Sequence, residues 1–126
     1  MKDFRSLKVW QKAHEVTLSV YQATSLFPQQ ETYGLVSQLR RSAASVPADI
    51  AEGCGCVANR EFARFSEIAL RSASETEYHP LLVRDLGYIE AATYDALNDR
   101  VTEVKLMLTG LIQKLKAENR QLTADC

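Results

Sequence analysis

The stretch SVPADIAEGCG, Ser45 to Gly55, decides how the chain is read, because it sets a proline inside an apolar pattern and ends on two glycines around a cysteine. Leu35, Leu39, Ala43, Val46 and Ile50 recur at three- and four-residue steps, the spacing of one α-helix face, and the pattern passes straight through Pro47. An interior proline removes one backbone hydrogen bond and crowds the carbonyl four residues back, here that of Ala43. That costs roughly 3 kcal/mol unless the helix kinks. Ser42 or Ser45 would accommodate the freed backbone groups, so the stretch reads as a kinked helix and not as a domain boundary. Gly53 and Gly55 are expected to end it, glycine entering the left-handed C-cap conformation without a Cβ penalty.

Working outward, Leu7, Trp10, Ala13, Val16, Val20 and Thr24 predict a helix over about residues 7–25, stopped ahead of Pro28. The second helix covers about 31–53. Asn59 is a favourable N-cap for a third, about 60–86, which carries Phe62, Phe65, Ile68, Ala69, Ala73, Leu81 and Leu82, holds Pro80 late, and stops at Gly87. A fourth, about 91–116, carries Leu97, Val101, Val104, Leu108, Leu111, Ile112 and Leu115, and the polar tail 117–126 is expected to fray. No run alternates as a strand does. Short connections make neighbouring helices antiparallel, so the predicted fold is all-α: an up-down-up-down four-helix bundle with a kinked second helix, one domain over residues 1–126.

A chain of 126 residues, 46% of them hydrophobic, is large enough to bury one core unaided. A formal net charge of −1 argues against a surface adapted as a whole to polyanions; any nucleic-acid site must be local. The cysteines Cys54, Cys56 and Cys126 are odd in number and offer no disulfide framework, which suits a reducing cytosol. The start, MKDFRSLKVWQKAHEV, lacks the apolar core of a signal peptide, and no run reaches the ~20 apolar residues of a membrane span. A cytoplasmic protein is expected, with no membrane partner.

Two sets of residues are candidate contacts. Arg5, Lys8 and Lys12 fall at helical spacing as a basic stripe, and with Arg40, Arg41 and Arg60 they are the candidate contacts to RNA or a protein partner. Ala44, Pro47, Ala48, Asp49, Ala51 and Glu52 form a small-residue face edged by carboxylates, the candidate subunit interface, where backbones can approach closely and dispersion contacts replace apolar bulk. Residues 67–99 hold seven carboxylates against two arginines, which sets an acidic surface against the basic one.

Other constellations fall short of chemistry. Glu75, Glu77 and His79 miss the Glu-x-x-His spacing of di-metal bundles, and Cys54-Gly-Cys56 lacks both zinc and thioredoxin spacing. Trp10, Tyr21, Tyr33, Phe62, Phe65 and Tyr78 lie beside leucines at helical spacing and read as core or subunit packing. No phosphate loop, nucleophile elbow or Ser/His/Asp set is present, so no enzyme, cofactor or small-molecule substrate is expected.

FRSLKVWQKAHEV, FPQQETYGLVSQLRRSAASVPADIAEG, REFARFSEIALRSASETE, LGYIEAATYDAL and LMLTGLIQKL together resemble the bacterial four helix bundle proteins, also called ribosomal RNA intervening-sequence proteins. The resemblance runs from about Phe4 to Leu115 and is most specific over Tyr33 to Gly53. It implies a bundle that assembles as a homo-oligomer, a pentameric ring in members of known structure, with no known enzymatic activity. It also implies an association with RNA or its processing machinery. Intervening sequences of large-subunit ribosomal RNA genes encode the family, and distant relatives are accessory factors of retroelement reverse transcriptases. Asp49 stands where relatives often have asparagine, and HPLLVRD from His79 replaces a more regularly helical segment.

Overall fold

The computed structural model describes residues 3–125, with side chains for residues 3–120. Four helices, α1 (Lys8–Thr24), α2 (Ser37–Cys54), α3 (Asn59–Asp85) and α4 (Ala91–Asp125), account for most of it, and no strand occurs among the described residues. Packing contacts run from α1 to α2, α2 to α3, α3 to α4 and back from α4 to α1, the closed circuit of a four-helix bundle.

The core follows one rule of spacing. Val9, Ala13, Val16 and Val20 of α1, Leu39, Ala43, Val46 and Ile50 of α2, and Leu97, Val101, Val104 and Leu108 of α4 are all buried at four-three-four intervals. That is the narrow seam of helices crossing at a shallow angle. In α3 the same rhythm continues through Phe62, Ser66, Ala69, Ala73, Thr76, Pro80 and Val83, all buried. Most of these are small or carry a hydroxyl. Ser66 donates to the Phe62 carbonyl at 2.8 Å and Thr76 to the Ser72 carbonyl at 2.8 Å, which satisfies each hydroxyl inside its own helix and lets it serve as a small core residue.

Several sequence expectations are corrected here. Trp10, Phe65, Ile68, Leu81 and Leu82 are half-buried, and Val9, Ser66 and Thr76 take the core positions. Tyr33 is 94% exposed, and Tyr21 and Tyr78 are also exposed, so these rings do not pack in the core of this chain. The segment before α2 is a 3-10 turn (Gln29–Glu31) followed by a π-helical turn (Thr32–Val36), and regular α-helix begins only at Ser37. Asn59 is the first residue of α3 and not its cap: Ala58 holds the cap position, and the Asn59 amide donates instead to Glu118 on α4 at 2.9 Å. The segment from His79 stays within α3, and α4 continues through Asp125, past the point where fraying was expected.

Neither Gly53 nor Gly55 is a left-handed cap. Gly55 sits at φ −77°, and Gly53 lies inside α2, buried where a Cβ would stand 2.8 Å from the Phe65 Cβ and 2.9 Å from the Phe62 Cδ1. Its missing side chain allows α3 to close on α2. Gly87 is the positive-φ glycine, at 84°, and it ends α3 with Tyr88 N–H bonding the Val83 carbonyl and Gly87 N–H the Arg84 carbonyl. These two bonds satisfy the carbonyls that a helix end leaves open.

Candidate functional site

The predicted small-residue face is assembled as one side of a groove between α1 and α2. Ala44, Pro47, Ala48 and Ala51 line it from α2, Trp10, His14 and Thr17 from α1, and Phe4 closes one end; it holds about 340 Å³ and is mainly apolar. Trp10 and His14 stack in parallel, ring centroids 4.9 Å apart, and Phe4 meets the Trp10 ring edge-on at 5.0 Å. This aromatic wall faces a floor of alanines because four residues separate Trp10 from His14 on α1, as four separate Ala44 from Ala48 on α2. Asp49 and Glu52 are not among the lining residues. Burial pushes the Asp49 carboxyl above its ordinary value, and the neighbouring Glu52 charge pushes it further.

A second groove, about 580 Å³, lies between the start of α3 and the far part of α4. Arg60, Glu61, Arg64 and Glu67 border it from α3, and Lys116 and Arg120 from α4, over a floor that includes Ala63 and Leu115. Lys116 pairs with Glu67 at 2.6 Å and Arg64 with Glu61 at 3.4 Å, both at the surface. Such pairs contribute ~0 to 1 kcal/mol. Arg64 also lies over the Phe65 ring, 4.8 Å from its centroid. Of these cations only Arg60 is a candidate from the sequence. Lys116 and Arg120 sit more than fifty residues away, and their proximity follows from α3 packing on α4.

The remaining basic candidates are dispersed. Arg5 lies in a 3-10 turn ahead of α1 and pairs with Asp3 at 3.3 Å, so it does not continue the helical stripe of Lys8 and Lys12. Lys8 is exposed, whereas Lys12 reaches Glu103 on α4 at 3.7 Å. Arg40 turns toward the end of α1: its Nε donates to Thr24 Oγ1 at 2.9 Å, a terminal nitrogen to the Tyr21 carbonyl at 3.4 Å, and its guanidinium covers the Tyr21 ring. Arg41 is bonded to Glu75 on α3 at 2.5 Å.

Glu75 also lies 3.9 Å from Nε2 of buried His79, whose Nδ1 has no hydrogen-bond partner among the described residues. Burial holds this imidazole below its usual pKa; the Glu75 charge opposes that shift and the Arg41 charge adds to it. Among the described residues no three His, Cys, Asp or Glu side chains gather where they could hold one metal ion, and no helix is long and apolar enough to cross a membrane.

Residues 5–110 match the family model of the 23S rRNA-intervening sequence protein. Among solved structures, the chain is similar to a protein of unknown function from the S23 ribosomal protein family of Bacteroides thetaiotaomicron VPI-5482. The two share 28% identity with a TM-score of 0.76, over 82% of this chain and 97% of that one. No curated protein matches. With the family model matching residues 5–110, most of its length, the chain belongs to the 23S rRNA-intervening sequence protein family.

Proposed function

We propose that this protein is a non-catalytic, cytoplasmic scaffold for RNA, its four helices running up-down-up-down and its copies closing a ring of five. The observation that carries the scaffold reading is the apolar groove of Trp10, Pro47 and Ala48, open at the surface. Apolar rings facing small residues suit another helix, because a helix can approach alanine closely and the rings then supply the contact area. Asp49 and Glu52, close to that face on α2, are placed to meet basic side chains of a neighbouring copy. The RNA half of the reading rests on the family to which the chain belongs.

Sedimentation of Ala48→Leu tests the assembly. Ala48 is exposed in the single chain, so added bulk leaves the bundle intact but fills the groove and weakens self-association by roughly 1–3 kcal/mol. An unchanged oligomer would remove the groove from the interface. A second reading, a protein-binding adaptor without RNA contact, draws on the same groove and on the net charge of −1. Titration with a structured RNA separates the two: no binding by the intact oligomer, even at low salt, favours the adaptor.

A further inference from the structure

We propose that the α3/α4 groove is the surface that holds RNA, gripping the phosphate backbone and not the bases. This inference rests on the RNA reading above and assigns it a place.

Four cationic side chains, Arg60, Arg64, Lys116 and Arg120, border the groove against two carboxylates, Glu61 and Glu67, an excess of two positive charges on a chain whose formal net charge is −1. Positive charge is therefore concentrated at this position while the molecule as a whole is slightly acidic, the arrangement expected of a local polyanion site. The start of α3 adds to it. No side chain caps that helix, since Ala58 occupies the cap position and the Asn59 amide is turned to Glu118, so backbone N–H groups lie open beside Arg60, with Glu61 the acid of the first turn. Both groove carboxylates are engaged in exposed ion pairs with groove cations, and Arg60 makes no ion pair among the described residues. A phosphate entering the groove meets Arg60 directly and exchanges with Glu61 and Glu67 for Arg64 and Lys116 in water.

The chemistry also limits what is read. Phe62 is buried, and Phe65 is half-buried with the Arg64 guanidinium over its ring, so neither offers an open face for stacking a base. Contacts of Arg and Lys to phosphate position an RNA without reporting its sequence, and they weaken steeply with salt. The groove lies between α3 and α4, whereas the self-association groove lies between α1 and α2, so one chain can use both at once.

The test is fluorescence anisotropy of the full chain with a labelled RNA hairpin of arbitrary sequence, across a salt series. Arg60→Gln combined with Arg120→Gln is expected to weaken binding at least tenfold and to lower the slope of log affinity against log salt by about 0.7 to 0.9 for each phosphate contact removed. Glu61→Gln and Glu67→Gln are expected to strengthen it several-fold, a change that misfolding does not mimic. Lys8→Gln is expected to leave it unchanged. Loss of affinity in Lys8→Gln with none in the groove variants overturns the assignment to this groove while leaving the RNA reading intact. Absence of binding by the wild-type oligomer at low salt overturns the RNA reading itself. Retention of a phosphoserine peptide in place of the RNA reassigns the groove to a protein partner and overturns the proposal.

Discussion

The Thr17 hydroxyl of α1 donates to the Ala43 carbonyl of α2 at 2.9 Å, and Ala43 is the residue whose carbonyl Pro47 deprives of its helical N–H. The same hydroxyl oxygen lies 3.2 Å from the Ala13 carbonyl of its own helix, so Thr17 bridges the two elements from a buried position. Ser42 and Ser45, the candidates suggested by sequence, donate elsewhere, to the Leu39 and Arg41 carbonyls. A proline that would weaken an isolated helix is thereby tolerated through its neighbour.

Thr17→Val keeps the shape and removes the donor. Leaving the Ala43 carbonyl buried and unpaired is expected to cost about 1–3 kcal/mol, read as a lower urea midpoint, with Thr17→Ser close to wild type. In a Pro47→Ala background the restored N–H serves that carbonyl, and the cost of Thr17→Val shrinks. An equal cost in both backgrounds would show that the bond does not compensate for the proline.

Gly53→Ala tests the closeness of α2 and α3. The added Cβ meets the Phe65 Cβ, which is fixed to the backbone, as well as the movable Phe62 ring. Destabilisation of roughly 1–3 kcal/mol by overpacking is expected, despite the higher helix propensity of alanine. A thermal midpoint at or above wild type counts against the tight contact.

Arg40→Ala is expected to destabilise the fold by about 1–2 kcal/mol and to leave RNA affinity unchanged, because this side chain serves the last turn of α1. Arg40→Lys should recover little, since an ammonium cannot reproduce the planar stack on Tyr21 together with the bond to Thr24. Reduced RNA binding in a fully stable Arg40→Ala would return this residue to the contact surface.

His79 makes stability depend on pH. Its folded pKa lies below the ordinary 6.5, so the unfolded chain binds the proton more readily, and stability falls as pH drops through 6.5. The groups facing it are Glu75 on its own helix and Arg41 on α2. Thermal midpoints recorded from about pH 7.5 to about pH 5.5 should decline in wild type and decline less in His79→Gln. Parallel curves exclude His79 as the source.

Asp49 carries the opposite sign. With its folded pKa raised above 3.8, it contributes stability at low pH that is lost as pH rises through the folded value. In dilute, unassembled chain, where no neighbouring copy offers Asp49 a basic partner, Asp49→Asn should therefore raise the thermal midpoint at pH 7, and the gain should shrink toward about pH 4. A gain independent of pH would point to a cause other than the charge.

The helical rhythm was legible because burial repeats every three or four residues: the α2 positions Leu39, Ala43, Val46 and Ile50, named from the sequence, are the buried ones. Reading α3 was harder. Its core stripe is built from Ser66, Ala69, Ala73 and Thr76, and a hydroxyl that bonds its own helix is indistinguishable in a sequence from one facing water.

Spacing within a single element is enough to make this chain helical and to say which side of α2 turns inward. It also marks the alanine face at Ala44, Pro47, Ala48 and Ala51. It takes the packed bundle to bring Trp10 across from that face, Thr17 to the carbonyl Pro47 leaves open, and Arg60 into one groove with Lys116 and Arg120. Each of these joins residues on different helices, and the rotation and register that bring two helices together are set by how their side chains interlock, which no pattern within one helix encodes.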